Sequence, residues 1–313
     1  MPVPEHVIAT HGLTKQFGSG VAVSDLDLRV RRGEIYGFLG RNGAGKTTTI
    51  RLMLGLLFPT AGTVELFGEP LRPGMTRVFE RIGSLVEAPA AYGNLTIREN
   101  LAVRARLIGL RGRDAVDAAI ELSGLQDTAN TRASRLSSGA LQRLGIAGAL
   151  LHRPELLILD EPGTALDPAG IRELRELLRH LSEERGVTIF MSSHILAEVE
   201  QLATRIGVIH RGTLAEEIDI EDMRLRNRTY LEHRVSDPGR AAWSLEERLG
   251  ISDYEVGIGG LVKVYESLDR AAEINAELQT QGVAVSRLAL AADRLEDRFL
   301  RLTSDEPDGG DRE

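Results

Sequence analysis

The chain has 313 residues, 42% of them hydrophobic and 27% charged, with a formal net charge of −8. That length allows two domains with sizeable cores, and the composition is ordinary for a soluble globular protein. The absence of cysteine excludes a disulfide framework or a thiolate metal site. The acidic balance argues against a protein that wraps nucleic acid through phosphate contacts. The first residues, Met1–His6, lack the charged-then-apolar layout of a signal peptide, and no apolar run approaches the ~20 residues that span a bilayer.

In chain order, Val7–Ala9 and Asp25–Val30 read as strands about a turn at Gly18-Ser19-Gly20. Phe17, on the segment Leu13–Gly18, could lie against an adenine ring or fill a core. The apolar run Ile35–Leu39 predicts a buried strand, followed by Gly40-Arg41-Asn42-Gly43-Ala44-Gly45-Lys46-Thr47 and then Thr48. This is the Gly-x-x-x-x-Gly-Lys-Thr spacing of a phosphate-binding loop. Apolar residues from Ile50 to Leu57 predict a helix from Thr47 to Phe58, stopped by Pro59. Strand, glycine loop and helix in that order make an anion site from unpartnered N–H groups and the helix dipole. Lys46 would reach the β- and γ-phosphates of a nucleotide, Thr47 would ligate Mg²⁺, and Thr48 would donate to a neighbouring phosphate.

Gly62–Gly68 reads as a strand between turns, and Val78 to Val86 leads to Glu87-Ala88-Pro89. Thr96 and Glu99 have capping-box spacing at the head of a helical region from Arg98 to about Leu125, broken at Gly109–Gly112. This region is a candidate contact platform. Ser137 and Gly139 precede a helix of small and apolar residues. They could receive a phosphate from another subunit, or simply cap a core helix. Leu156–Leu159 predicts a central parallel strand ending in Asp160-Glu161, where ligands sit in open α/β sheets. Asp160 could hold Mg²⁺ through water, and Glu161 is placed to orient or deprotonate a water attacking a γ-phosphate. Asp167-Pro168 opens a helix with one apolar face, and the strand Val187–Met191 leads to Ser192-Ser193-His194. His194 could contact the γ-phosphate or be structural.

Taken in order, these motifs resemble the nucleotide-binding subunit of an ABC transporter over roughly residues 5 to 217. The resemblance implies a P-loop α/β core with an antiparallel β subdomain and a helical subdomain. It also implies a head-to-tail dimer sandwiching two ATPs, each between one subunit's phosphate loop and the other's Ser137/Gly139 segment. Glu161 would be the catalytic base, His194 the γ-phosphate switch and Asp167 a cross-dimer contact. A separate membrane permease would hold the subunit at the cytoplasmic face of the membrane. Two departures stand out: Leu136-Ser137-Ser138-Gly139-Ala140 replaces Leu-Ser-Gly-Gly-Gln, and Glu87 takes the place of a glutamine that ligates Mg²⁺. The run from Ile82 to Leu101 is similar to bacitracin-export and lantibiotic-immunity ATPases, which carry a glutamate there, implying export of a drug, peptide antibiotic or lipid-like compound. A soluble ABC ATPase acting on nucleic acid or ribosomes is the rival, disfavoured by the acidic charge and single cassette.

From Ile218 the composition turns arginine-rich and polar, suggesting a linker over 218–228. Beyond it a small α+β domain is predicted over 229–303. Its elements are strands at Thr229–Val235, Tyr254–Ile258, Leu261–Glu266 and Val283–Leu288, and helices at Pro238–Gly250, Leu268–Gln281 and Leu295–Thr303. The acidic, Gly-rich tail 304–313 is expected to be disordered.

Overall fold

The apolar runs at Ile35–Leu39, Leu156–Leu159 and Thr188–Ser193 are adjacent parallel strands with every residue buried. They belong to a computed structural model that describes residues 5–87, 89–164, 166–226, 229–292 and 295–303. Strand Ile82–Leu85 extends this sheet on one side. Arg205–His210 and Thr213–Asp219 extend it on the other, the last being antiparallel. Continuous burial explains why these strands read as unbroken apolar runs, since both sheet faces are covered.

Alternation along each strand divides the side chains between two cores. Tyr36, Phe38, Leu156, Ile158 and Phe190 join one cluster with Ile50, Leu52 and Met53 of helix Lys46–Met53. That cluster continues into an antiparallel sheet ordered Gly20–Arg31, His6–Phe17, Ala61–Leu66, Glu69–Pro70. Ile35, Leu157, Leu159, Ile189 and Met191 face the opposite way, against helices Ser138–Leu150 and Pro168–Glu183. A third cluster unites helices Ile97–Leu107, Asp114–Leu122 and Ser138–Leu150. The capping box is formed: Glu99 N donates to Thr96 Oγ1 at 3.2 Å, and Thr96 N to Glu99 Oε2 at 2.8 Å.

The chain separates into two units, Met1–Ile220 with the segment from Phe299, and Glu221–Arg298. The second unit holds an antiparallel sheet ordered Tyr254–Val256, Leu261–Val264, Thr229–Val235, Val285–Ala292. Helices Pro238–Leu249 and Ala271–Thr280 share one apolar cluster with it. Among the described residues no helix is long and apolar enough to cross a membrane.

Several elements differ from the sequence expectation: the first two strands run His6–Phe17 and Gly20–Arg31, well beyond Val7–Ala9 and Asp25–Val30. The first helix ends at Met53 rather than Phe58, because Gly55 turns left-handed (φ 65°) and Leu56 and Leu57 fold back to donate to the Arg51 carbonyl. Leu57 still packs against the core half-buried, while Leu56 and Phe58 are exposed. The stretch 218–228 is largely ordered structure, the end of a strand followed by helix Ile220–Arg226. The last strand runs Val285–Ala292, later than the expected Val283–Leu288. The tail 304–313 lies outside the described residues.

Glu155 pins the amino ends of two neighbouring strands. It accepts from Arg81 Nε at 2.6 Å and Nη2 at 3.0 Å, and from Arg32 Nη1 at 2.7 Å. The Arg81 hydrogen bond, reinforced by Arg32, brings its carboxyl down to about 2 from an ordinary 4.5. The stability that this depression contributes is fully present above pH 4.5 and is lost as the pH falls towards 2. We expect Glu155→Gln to cost about 1 kcal/mol at neutral pH, allowing for the partial exposure of the pair. In urea titrations between pH 5 and pH 2.5, the variant should lose less stability than the parent; parallel losses would contradict this assignment.

Candidate functional site

The parallel register places the ends of four strands on one edge of the sheet: Leu39 lies opposite Ser193, and Leu159 opposite both Met191 and Leu85. The segments that follow these strands therefore converge there. After Leu39, Gly40 donates its N–H to Ser193 O at 3.2 Å. A Cβ on Gly40 would stand 2.7 Å from Ile209 O, and one on Gly45 would stand 2.5 Å from Ala22 O. Gly43 and Gly45 also have φ of 80° and 112°. Arg41, Asn42 and Gly43 are exposed, while Ala44 is buried with its carbonyl accepting from Gly212 N. Helix Lys46–Met53 begins with no side-chain cap and no acidic residue in its first turn, so its leading N–H groups are free for an anion. Thr47 and Thr48 are half-buried in that first turn.

Lys46 is only 4% exposed. Its Nζ donates to Gly40 O at 2.8 Å and Arg41 O at 3.3 Å, and lies 3.1 Å from Glu161 Oε1. Glu161 is gripped from its other oxygen as well: Thr164 Oγ1 donates to Oε2 at 3.2 Å, and His194 Nδ1 is 3.0 Å from the same atom. Burial pushes the Glu161 carboxyl up, but Lys46, His194 and Thr164 together outweigh it and the net shift is downward. The group is therefore a carboxylate at neutral pH. Its backbone is left-handed (φ 47°), a conformation that costs about 1–3 kcal/mol for a side-chain-bearing residue. The neighbouring Asp160 is fixed by Ser192, whose Oγ donates to Asp160 Oδ1 at 2.6 Å and accepts from Glu161 N at 2.9 Å. Sequence reasoning assigned no role to Ser192 or Thr164. The signal for Ser192 was present as a hydroxyl at the end of an apolar strand beside the carboxylate strand.

The structure thus brings Lys46, Asp160, Glu161 and His194 together around the glycine loop. Ser137, Gly139 and Asp167 form a separate group. Ser137 Oγ accepts from Ala140 N at 3.2 Å, and Asp167 Oδ1 from Gly170 N at 2.8 Å, each capping its own helix. A Cβ on Gly139 would come 3.9 Å from Gly170 Cα, so the two helix starts are side by side. Phe17 is not a core residue: it is 51% exposed, with the Lys15 ammonium 5.0 Å from its ring centre. Glu87 is exposed, left-handed (φ 69°) and ion-paired with Arg51 of the phosphate-loop helix. The oxygens of Thr47, Asp160 and Glu87 are a donor set suited to a hard divalent cation, and among the described residues Asp160 Oδ2 is without a partner.

A glycine loop on a helix start, a buried lysine and strand-end carboxylates on a parallel sheet define a P-loop nucleotide hydrolase. Comparison with known proteins narrows this. Residues 23–164 match the family model for the ABC transporter. The chain is 48% identical to the bacitracin transport ATP-binding protein of Bacillus licheniformis, over 95% of this chain and 97% of that one. It is 45% identical to the protein of the same description from Enterococcus faecalis, over 96% and 98%. Among solved structures, a dimeric bacterial ABC transporter cassette matches with a TM-score of 0.61 at 25% identity, covering 68% of this chain and 98% of that one. The chain belongs to the ATP-binding subunits of ABC transporters, and it is an ATPase coupled to transport.

Introducing a Cβ at Gly45 would strain the backbone and force the loop off Ala22, a penalty of about 1–3 kcal/mol. Gly45→Ala should accordingly weaken ATP binding by roughly ten- to a hundredfold in a fluorescent-nucleotide titration. Parental affinity would show that the loop accommodates the methyl group without moving.

Proposed function

We propose that this chain powers a separate membrane permease that exports a peptide antibiotic of the bacitracin kind, working as one half of a head-to-tail ATPase dimer at the cytoplasmic face of the membrane. The observation that carries the chemistry is the Glu161 carboxylate, held between buried Lys46 and His194 at the mouth of the glycine loop. The cargo reading rests on the near full-length similarity to the two bacitracin transport ATP-binding proteins. The dimeric solved relative supports the pairing of two subunits.

In this reading the free leading N–H groups of helix Lys46–Met53 and the Lys46 ammonium bind the triphosphate. Phe17, exposed at the end of strand His6–Phe17, offers a stacking face for adenine. Glu161 accepts a proton from the attacking water and aims that water at the γ-phosphate, with His194 and Thr164 fixing the carboxylate's direction. Thr47, Asp160 and Glu87 would hold Mg²⁺, which when bound neutralises charge on the β- and γ-oxygens. Ser192 keeps Asp160 in place. Ser137, Gly139 and Asp167, on adjacent helix starts, would meet the nucleotide held by the second subunit. The 90–125 region would pass the resulting motion to the permease. No observation favours action on nucleic acid or ribosomes, and the net charge of −8 opposes it.

Glu161→Gln tests the assignment. The variant should bind ATP and accumulate as an ATP-dependent dimer on size-exclusion chromatography, while its turnover falls by about a hundred- to a thousandfold. Hydrolysis at the parental rate would remove Glu161 from the base role. Co-purification of a polytopic membrane subunit, and increased bacitracin sensitivity of cells carrying the variant in place of the parent, would test the cargo reading.

A further inference from the structure

The family resemblance expects a neutral glutamine at position 87, yet the residue there is a glutamate, which adds negative charge beside a polyanionic substrate. The structure contains a candidate remedy. Strand Ile82–Leu85 runs parallel to Leu156–Leu159, and Leu85 O accepts from Asp160 N at 2.9 Å. Glu87 therefore leaves the sheet at the same edge as Asp160, and its left-handed backbone (φ 69°) is a conformation that side-chain-bearing residues rarely adopt. Its carboxylate is ion-paired with Arg51. Arg51 belongs to the helix that begins at Lys46, five residues further on and about 7.5 Å along the helix axis. The helix that receives the phosphates at one end thus supplies, from its last turn, the cation that meets Glu87.

We propose that Arg51 is the charge partner that makes a glutamate workable at position 87, so that Arg51 and Glu87 together present the nucleotide with a net neutral group, as glutamine would. This rests on the reading that Glu87 faces the nucleotide. Both side chains are partly exposed, 39% for Arg51 and 66% for Glu87, so the pair adds little to folding stability and its charge balance is free to serve binding. Removing Arg51 leaves an uncompensated anion near the triphosphate. Removing the charge of Glu87 leaves an uncompensated cation there. The two changes have opposite signs, and together they cancel.

The test is the affinity of a fluorescent ATP analogue for the purified protein, with EDTA and again with Mg²⁺. It uses the parent, Arg51→Gln, Glu87→Gln and the double variant, with thermal unfolding of the unliganded proteins as a check on folding. In EDTA, Arg51→Gln should weaken binding by about fivefold and Glu87→Gln should strengthen it by about threefold. The double variant should return to within about twofold of the parent. A double variant as weak as Arg51→Gln alone would overturn the proposal, as would tighter binding by Arg51→Gln in Mg²⁺, which would mean that Arg51 withholds Glu87 from the site. If Glu87→Gln changes binding in neither condition, the reading that Glu87 faces the nucleotide fails. If Glu87→Gln shifts affinity while Arg51→Gln does not, that reading stands and the role of Arg51 falls.

Discussion

An ammonium group taken almost completely out of water is the constraint on which the site depends. Moving such an ion into a protein interior costs several kcal/mol unless neighbouring groups replace its hydration. Lys46 meets this with two loop carbonyls, Gly40 O and Arg41 O, and with Glu161 Oε1. Each of those acceptors imposes a condition elsewhere. The carbonyls are available only because the loop wraps tightly, and the wrap is possible only where Gly40 and Gly45 leave no room for a Cβ against Ile209 and Ala22. Glu161 reaches the ammonium from a left-handed backbone that Ser192 helps to hold through its bond with the Glu161 N–H. Glycine spacing, the strand-end carboxylate and a serine from a neighbouring strand thus satisfy one electrostatic demand.

The sheet that carries these groups is buried on both faces, and the alternation of its side chains assigns a job to each. One face seats the phosphate-loop helix against the antiparallel sheet, so the loop cannot move independently of Tyr36, Phe38 and Phe190. The other face seats the helices that begin at Ser138 and Pro168. Their adjacent starts carry Ser137, Gly139 and Asp167. The residues that hold the nucleotide in this subunit and those proposed to close over a second subunit's nucleotide are therefore attached to opposite faces of the same four-residue strand, Leu156–Leu159. A close-packed sheet shared by the two groups is a sound basis for transmitting closure.

Much of this was legible in the sequence because it is local. The glycine loop, the Thr96–Glu99 capping box, the buried apolar strands and the Asp160-Glu161 strand end are written in consecutive residues, and the structure places all of them where spacing predicts. What spacing could not show is which side chain across the chain satisfies a given group. Ser192 lies 32 residues from Asp160, and Arg51 lies 36 from Glu87. Neither pairing has a periodic signature. The early end of the first helix was missed for another reason: Leu56, Leu57 and Phe58 continue an apolar pattern, but the left-handed Gly55 redirects the chain, leaving Leu56 and Phe58 exposed and only Leu57 against the core. A single glycine inside a helical pattern is read as tolerable until tertiary packing decides otherwise. Phe17 was ambiguous between core and ligand for want of any local cue to its exposure.

The electrostatics of Glu161 bear on how such a site can work. A general base is strongest when its pKa approaches the working pH, and the Glu161 carboxyl is moved the opposite way, because Lys46, His194 and Thr164 outweigh its burial. By proton affinity alone it is a weak base. Transfer of a phosphoryl group, however, passes through a loose transition state in which the attacking water loses its proton late, and positioning with charge stabilisation supplies most of the acceleration. A carboxylate that is ionised before the reaction and held at both oxygens suits that demand better than a strongly basic but mobile one. It offers a fixed acceptor for the water's hydrogen, while the bonds that lower its basicity also set its direction.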